Sequence, residues 1–210
     1  MIIEACVENI NEAIRAEAQG AHRVEICENL IIGGTTPSAG TIAIAKKVLN
    51  IPIMVLIRPR GGDFVYSDLE VEIMKHDIQV CKHIGIDGVV LGTLTEENTI
   101  NTELLNELVN LAKPLDVTFH KAIDETIDIV GEFKRLLAYQ IDRILTSGGA
   151  ESVYEGQQTI NEMTRLSDGK IKIIAAGKIH QSDLSNLQKI IKTNEFHGKK
   201  IVGDLSNSSI

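Results

Sequence analysis

The sequence predicts an α/β protein of the TIM-type (β/α)8 barrel class, and three observations lead there. Short apolar runs alternate with longer stretches of helical periodicity, at a spacing of roughly 25–30 residues, the length of one βα unit. The runs are continuous in Ile, Val and Leu, as strands of a parallel sheet covered on both faces are. Polar residues recur at nearly every carboxyl end of these runs, where a barrel gathers its mouth. An open doubly wound sheet is the competing topology. It is disfavoured because no G-x-G-x-x-G follows the first run.

The first run, residues 2–6, leads to helical periodicity over 9–19 that stops at Gly20. The second, 23–27, ends in a glycine-rich turn, Gly33-Gly34-Thr35-Thr36-Pro37-Ser38, with Ser38 placed to start a helix over 38–49. Run 53–57 is followed by a long loop and a helix over 69–84. Ser67 opens that helix, Asp68 and Glu70 acidify its first turn, and Gly85 ends it. Run 88–91 precedes a helix over 102–112, run 116–120 one over 127–139, and run 143–145 one over 153–166. Run 172–175 precedes a helix over 182–191, with Ser182 before Asp183 as its start signal. The last run, 195–197, is weak. Residues 1–198 therefore read as one barrel domain, and 199–210 as a short polar tail that lacks the length of a full eighth outer helix. The tail either leaves that helix missing or wraps across the bottom of the barrel.

The chain has 210 residues, enough for one sizeable core, yet only 3% are aromatic and none is Trp, so the core is aliphatic. The net charge of −8 argues against a nucleic-acid partner, which would call for a basic stripe. No apolar run reaches about 18 residues, which argues against a membrane span. Met1-Ile2-Ile3-Glu4 lacks the basic and apolar regions of a signal peptide. Three cysteines, Cys6, Cys27 and Cys81, form no dense disulfide framework, and reduced thiols in a cytoplasmic protein are the expectation.

Alternate residues of barrel strands point inward. Glu4 and Cys6 then share one face of the first strand, and Glu25 and Cys27 one face of the second. Buried glutamates need partners, and Arg58 and Arg143 are the expected ones. Such charges form either a structural salt-bridge layer or a ligand grip. In the second reading Arg58 and Arg60, flanking Pro59 ahead of Gly61-Gly62, bind a phosphate or carboxylate. The loops carrying Ser147, Gly148 and Gly177 add anion contacts at strands six and seven. Arg58 and Arg60 read equally as ties from their loop to Asp63 and the barrel acids. His120, ending the fifth strand, is the expected acid or base, with Glu4 or Glu25 orienting the ligand. Lys121 is expected to point away from the mouth by alternation. His22, His76 and His83 sit away from it, and Cys81 reads as core. Cys6 and Cys27 close neighbouring strands in the same register. Their sulfurs are placed to face each other and to favour Cu(I) or zinc, although buried cysteines are often plain core residues.

These segments together resemble the CutC family of copper homeostasis proteins. The resemblance rests on Arg23-Val24-Glu25-Ile26-Cys27, on Gly33 to Ser38, and on Arg58-Pro59-Arg60-Gly61-Gly62-Asp63-Phe64 with Tyr66-Ser67. It continues in Val117-Thr118-Phe119-His120 with Ala122 and Asp124, in Arg143-Ile144-Leu145-Thr146-Ser147-Gly148, and in Ala176-Gly177. It implies a TIM-type barrel in the cytoplasm, a homodimer or higher homo-oligomer, and Cu(I) held by Cys6 and Cys27 in a linear or trigonal thiolate site. An enzyme acting on a small anionic metabolite is the alternative. No organic cofactor is expected. The chain departs from the family pattern at Lys121, at Gly198-Lys199-Lys200, and in ending without the family's C-terminal helical segment.

Overall fold

A computed structural model describes residues 1–206. Its strands are β1 (Ile2–Val7), β2 (Arg23–Ile26), β3 (Ile53–Leu56), β4 (Gly88–Leu91), β5 (Asp116–Phe119), β6 (Arg143–Thr146), β7 (Lys172–Ala175) and β8 (Glu195–Gly198). Between them run α1 (Ile10–Ala18), α2 (Ala39–Val48), α3 (Asp68–Ile84), α4 (Thr102–Ala112), α5 (Ile129–Leu136), α6 (Gln157–Ser167) and α7 (Leu184–Ile190). All strand pairings are parallel and follow sequence order, and β8 pairs with β1 to close the barrel. The fold is the TIM-type barrel that the alternation predicts.

Local chemistry sets most boundaries. Asn9, Ser38, Asn101 and Asp128 each cap a helix by accepting a backbone N–H. Ser67 and Glu70 form a reciprocal capping box at the start of α3. Gly85 ends that helix at φ +78°, a left-handed conformation that costs glycine little.

Helix α5 begins at Ile129 rather than 127, after its cap Asp128, and α6 and α7 also start later than the periodicity suggests. Residues 150–156 turn across the β6 and β7 loops, with Val153 N donating to Gly177 O at 3.0 Å, so α6 begins at Gln157 rather than Val153. Ser182 lies inside a 3-10 turn, Gln181–Asp183, and α7 begins after it. The start of that turn is tied by Asp183, whose carboxylate accepts His180 N at 2.8 Å, and not by Ser182.

The outward faces of the strands and the inward faces of the helices form one aliphatic layer, including Val24, Ile26, Leu105, Ile144 and Leu187, all fully buried. Each such side chain contributes roughly 1.5–3 kcal/mol. Inside the barrel the filling is divided. Met54, Leu56 and Val90 make an apolar patch with the two cysteines, and Leu145, Ile174 and Ala176 make another. The β8, β1 and β2 side holds Glu4, Arg23, Glu25, Glu195 and His197, all buried.

The described part of the tail is less polar than its composition suggests, because Ile201, Val202 and Leu205 are buried. It lies against α1, where Arg15 Nε donates to Leu205 O at 2.8 Å and Gln19 Nε2 to Asp204 O at 3.3 Å. Those contacts are made on the outside of the barrel; the remainder of the tail, 207–210, lies outside the described residues. No described helix is long and apolar enough to cross a membrane.

Candidate metal-binding site at the barrel mouth

The register of β1 on β2 pairs Cys6 with Glu25, which sets Cys27 one inward position farther along the neighbouring strand. The two sulfurs are therefore diagonal neighbours, 3.7 Å apart. Cys6 Sγ lies 3.9 Å from Glu25 Oε1, and Cys27 Sγ lies 3.6 Å from Val7 O. Both thiols are buried and unbridged. The hydrogen bond that the protonated Cys6 thiol makes with Cys27, together with burial and the nearby Glu25 carboxylate, pushes the Cys6 pKa well above that of an ordinary thiol.

Beneath the thiols the buried charges form a chain. His197 Nδ1 lies 2.8 Å from Glu4 Oε1, and Arg23 Nε donates to the other Glu4 oxygen. Arg23 Nη2 donates to Glu195 at 2.6 Å, and Glu195 lies 3.4 Å from Arg143 Nε. Arg143 Nη1 reaches Asp116 at 2.8 Å. Arg23 is thus the bridge between Glu4 and Glu195. This corrects the expectation that Arg58 and Arg143 partner Glu4 and Glu25: Arg143 reaches Glu195 instead, and Arg58 reaches neither glutamate. The signal for Arg23 was its inward parity, which it shares with Glu25. Arg58 is too far along its strand for that role. Its guanidinium donates to Gly34 O at 3.1 Å, Ile32 O at 3.4 Å and Gly62 O instead.

Glu4 and Glu25 respond oppositely to this environment. Burial raises the Glu4 pKa, but the hydrogen bond from His197 and the Arg23 charge outweigh it and hold the carboxyl at about 2. Burial dominates at Glu25 and pushes it up to about 7, with the Glu4 charge adding to the rise. Its Oε2 atom is buried with no hydrogen-bond partner. For His197, burial is outweighed by the Glu25 and Glu4 carboxylates, and its pKa rises.

His120 stands across a cavity of about 160 Å³ lined by Cys6, Glu25, Arg58, Phe64, Lys121 and His197 among others. Burial and the Arg58 charge depress its pKa to about 3. Nδ1 accepts Ala122 N at 3.2 Å, which leaves the proton on Nε2, an atom with no partner. In this tautomer His120 offers the cavity a donor and not a base. Phe64 contacts both, its ring tilted against His120 at 4.7 Å and its face 4.6 Å from the Arg58 guanidinium.

The other sequence-predicted anion contacts disperse. Arg60 is occupied by Glu70 at 2.6 Å, Asp63 at 2.9 Å and three backbone carbonyls, so it ties its own loop. Ser147 N donates to Asp124 at 2.9 Å and Gly148 N to Thr146 Oγ1 at 2.8 Å, so both amides are used within the loop. Gly177 lines a larger opening of about 500 Å³. Lys121 lines both cavities, contrary to simple strand alternation, because β5 stops at Phe119 and a 3-10 turn, Lys121–Glu125, ends the strand's alternation. Asp124, which receives Ser147 N and Gly149 N, stands out in the sequence only within the family resemblance.

Residues 1–202 match the CutC family. The chain belongs to the CutC family. Among its CutC relatives, the mouse copper homeostasis protein cutC homolog is 43% identical over 93% of this chain and 72% of its own length. The human homolog is 41% identical over the same shares. The crystal structure of the copper homeostasis protein CutC from Streptococcus agalactiae superposes with a TM-score of 0.91 at 34% identity, over 96% of this chain and 99% of that one. An aldolase, QR15, has a TM-score of 0.69 at 12% identity, over 98% and 92%, and shares the fold alone.

Proposed function

We propose that this CutC chain is a cytoplasmic Cu(I)-binding homeostasis protein whose metal donors are the thiolates of Cys6 and Cys27. The supporting observation is the pair of buried, unbridged sulfurs 3.7 Å apart at the mouth. Soft thiolates favour Cu(I) or zinc over the harder first-row ions. Thiolate–metal bonds of about 2.3 Å each would hold two sulfurs about 4.6 Å apart in a linear arrangement. The observed separation is shorter, so an ion shared by both lies off the S–S line and has room for a third donor. Glu25, with an unpartnered oxygen beside Cys6, fits that position. Unbridged cysteines also suit a reducing compartment. Assembly into a homodimer or higher homo-oligomer belongs to the same proposal, and light scattering reads it directly.

Titrating reduced protein with Cu(I) against a competing chelator tests the site. Cys6→Ser with Cys27→Ser is expected to lower affinity by at least about a hundredfold, since removal of an outer-shell partner alone costs up to that much. Unchanged affinity would end the proposal.

A second reading draws support from His120. Its Nε2–H is an unpartnered donor in a 160 Å³ cavity, suited to the carbonyl or phosphate oxygen of a small anionic metabolite. Crystals soaked in a sugar phosphate test it, and an empty cavity at high ligand concentration would count against it.

A further inference from the structure

The two mouth cavities share Cys6, Leu30, Lys121 and His197, so they form one path from solvent to a sulfur. Only one of the two thiols meets that path: Cys6 lines both cavities, while Cys27 is fully buried behind it. Whatever brings a metal ion to the pair therefore approaches over Cys6. The outer opening, about 500 Å³, is large enough for a small organic molecule and not merely a hydrated ion.

The wall of this opening reverses the sign of the protein as a whole. The chain carries −8, yet four lysines, Lys121, Lys178, Lys199 and Lys200, line the opening against one carboxylate, Glu151. Lys200 makes no ion pair among the described residues. Lys178 and Lys199 pair with Glu151 and Glu8 at 2.7 and 2.6 Å, and Lys121 pairs with Asp124 at 2.9 Å. The Lys178 pair is solvent-exposed on both sides, so exchanging its carboxylate for an incoming one costs little.

We infer that the opening receives Cu(I) as a complex with a small anionic thiol, the thiol's carboxylates meeting the lysine rim while its sulfur stays on the metal. The inference rests on the Cu(I) reading of Cys6 and Cys27. A carrier thiolate would fill the third position that the short S–S separation leaves open, in place of Glu25. The exchange balances without redox change. A Cu(I) bis-thiolate meets two protein thiols, Cys6 and Cys27 form bonds to copper, and one carrier sulfur leaves copper. The departing carrier takes one of the two thiol protons, the other goes to solvent, and the second carrier sulfur stays bound.

Glutathione, an anionic tripeptide thiol, serves as the probe. Reduced protein mixed with Cu(I)–glutathione is expected to show, in native mass spectrometry, one copper and one glutathione per chain. Lys178→Glu with Lys200→Glu should weaken uptake from Cu(I)–glutathione about tenfold and reduce its salt dependence, because rim charges act additively and are screened. The same variant should take Cu(I) from an uncharged thiol, 2-mercaptoethanol, as wild type does. Binding of S-methylglutathione to metal-free protein, lost in the variant, would support the rim independently of copper. Equal uptake by variant and wild type from both carriers would overturn the carrier assignment alone. Undiminished copper affinity in the double cysteine variant would overturn the metal reading and the carrier with it.

Discussion

Glu25 Oε1 lies 3.9 Å from Cys6 Sγ, and neither oxygen of that carboxylate receives a hydrogen bond from an arginine or histidine among the described residues. Two positions away in the β1–β2 ladder, Glu4 is held by both His197 and Arg23. The barrel has paired one inward glutamate with the charge chain below and left the other beside the thiols.

This asymmetry makes stability depend on pH. The folded-state pKa of Glu25 is about 7, above its ordinary value of 4.5, so the folded state binds more protons between these values and loses stability as pH rises through them. Glu25→Gln removes that loss. Thermal unfolding of metal-free protein is expected to show Glu25→Gln gaining on wild type from about pH 5 to about pH 8. A constant difference across that range would show that folding does not raise the Glu25 pKa.

Glu4 acts in the opposite direction. Its folded pKa of about 2 lies below 4.5, so its stabilisation is present above 4.5 and is lost as pH falls toward 2. Its partner Arg23 also bridges Glu195. Arg23→Met leaves two buried carboxylates without their shared cation and is expected to cost about 3–5 kcal/mol in urea unfolding. Arg23→Lys should recover only part, because an ammonium cannot serve both carboxylates with a planar fork. Full recovery by lysine would rule out the bridging geometry.

Copper affinity should climb steeply with pH. Both thiols give up protons on binding, and the Cys6 pKa is held well above the ordinary value. The apparent constant is expected to rise up to about a hundredfold per pH unit while both thiols are protonated. A flat profile in chelator competition, with the chelator's own titration removed, would exclude dual thiolate ligation.

The loop after β6 depends on a close approach of two glycines. A Cβ on Gly156 would lie 1.8 Å from Ser147 O, and one on Gly148 would lie 2.4 Å from Gly156 O. Gly148 is also at φ +73°, and Asp124 pins the same loop through Ser147 N and Gly149 N. Gly156→Ala is expected to cost about 1–3 kcal/mol through overpacking. The same measurement on Gly169→Ala, where a Cβ meets nothing within 4 Å but φ is +76°, separates steric clash from backbone strain. Gly156 itself sits at φ −83°, outside the left-handed region, so unchanged stability in Gly156→Ala would rule out the clash.

The barrel, the order of its elements and the inward face of β1 and β2 are all legible in the chain. Period-two alternation and the βα spacing are local properties, so they mark Glu4, Cys6, Glu25 and Cys27 as interior residues with no knowledge of how the strands meet. The family is legible too, through the Arg58 to Phe64 block. Alternation does not say which interior residues touch, because that depends on the stagger of neighbouring strands around a closed barrel. Tertiary packing therefore gave Arg23, and not Arg58, to the barrel acids, and brought two sulfurs 21 positions apart in sequence to 3.7 Å. It also turned Lys121 toward the mouth, since alternation holds only while a strand continues and β5 ends one residue before His120.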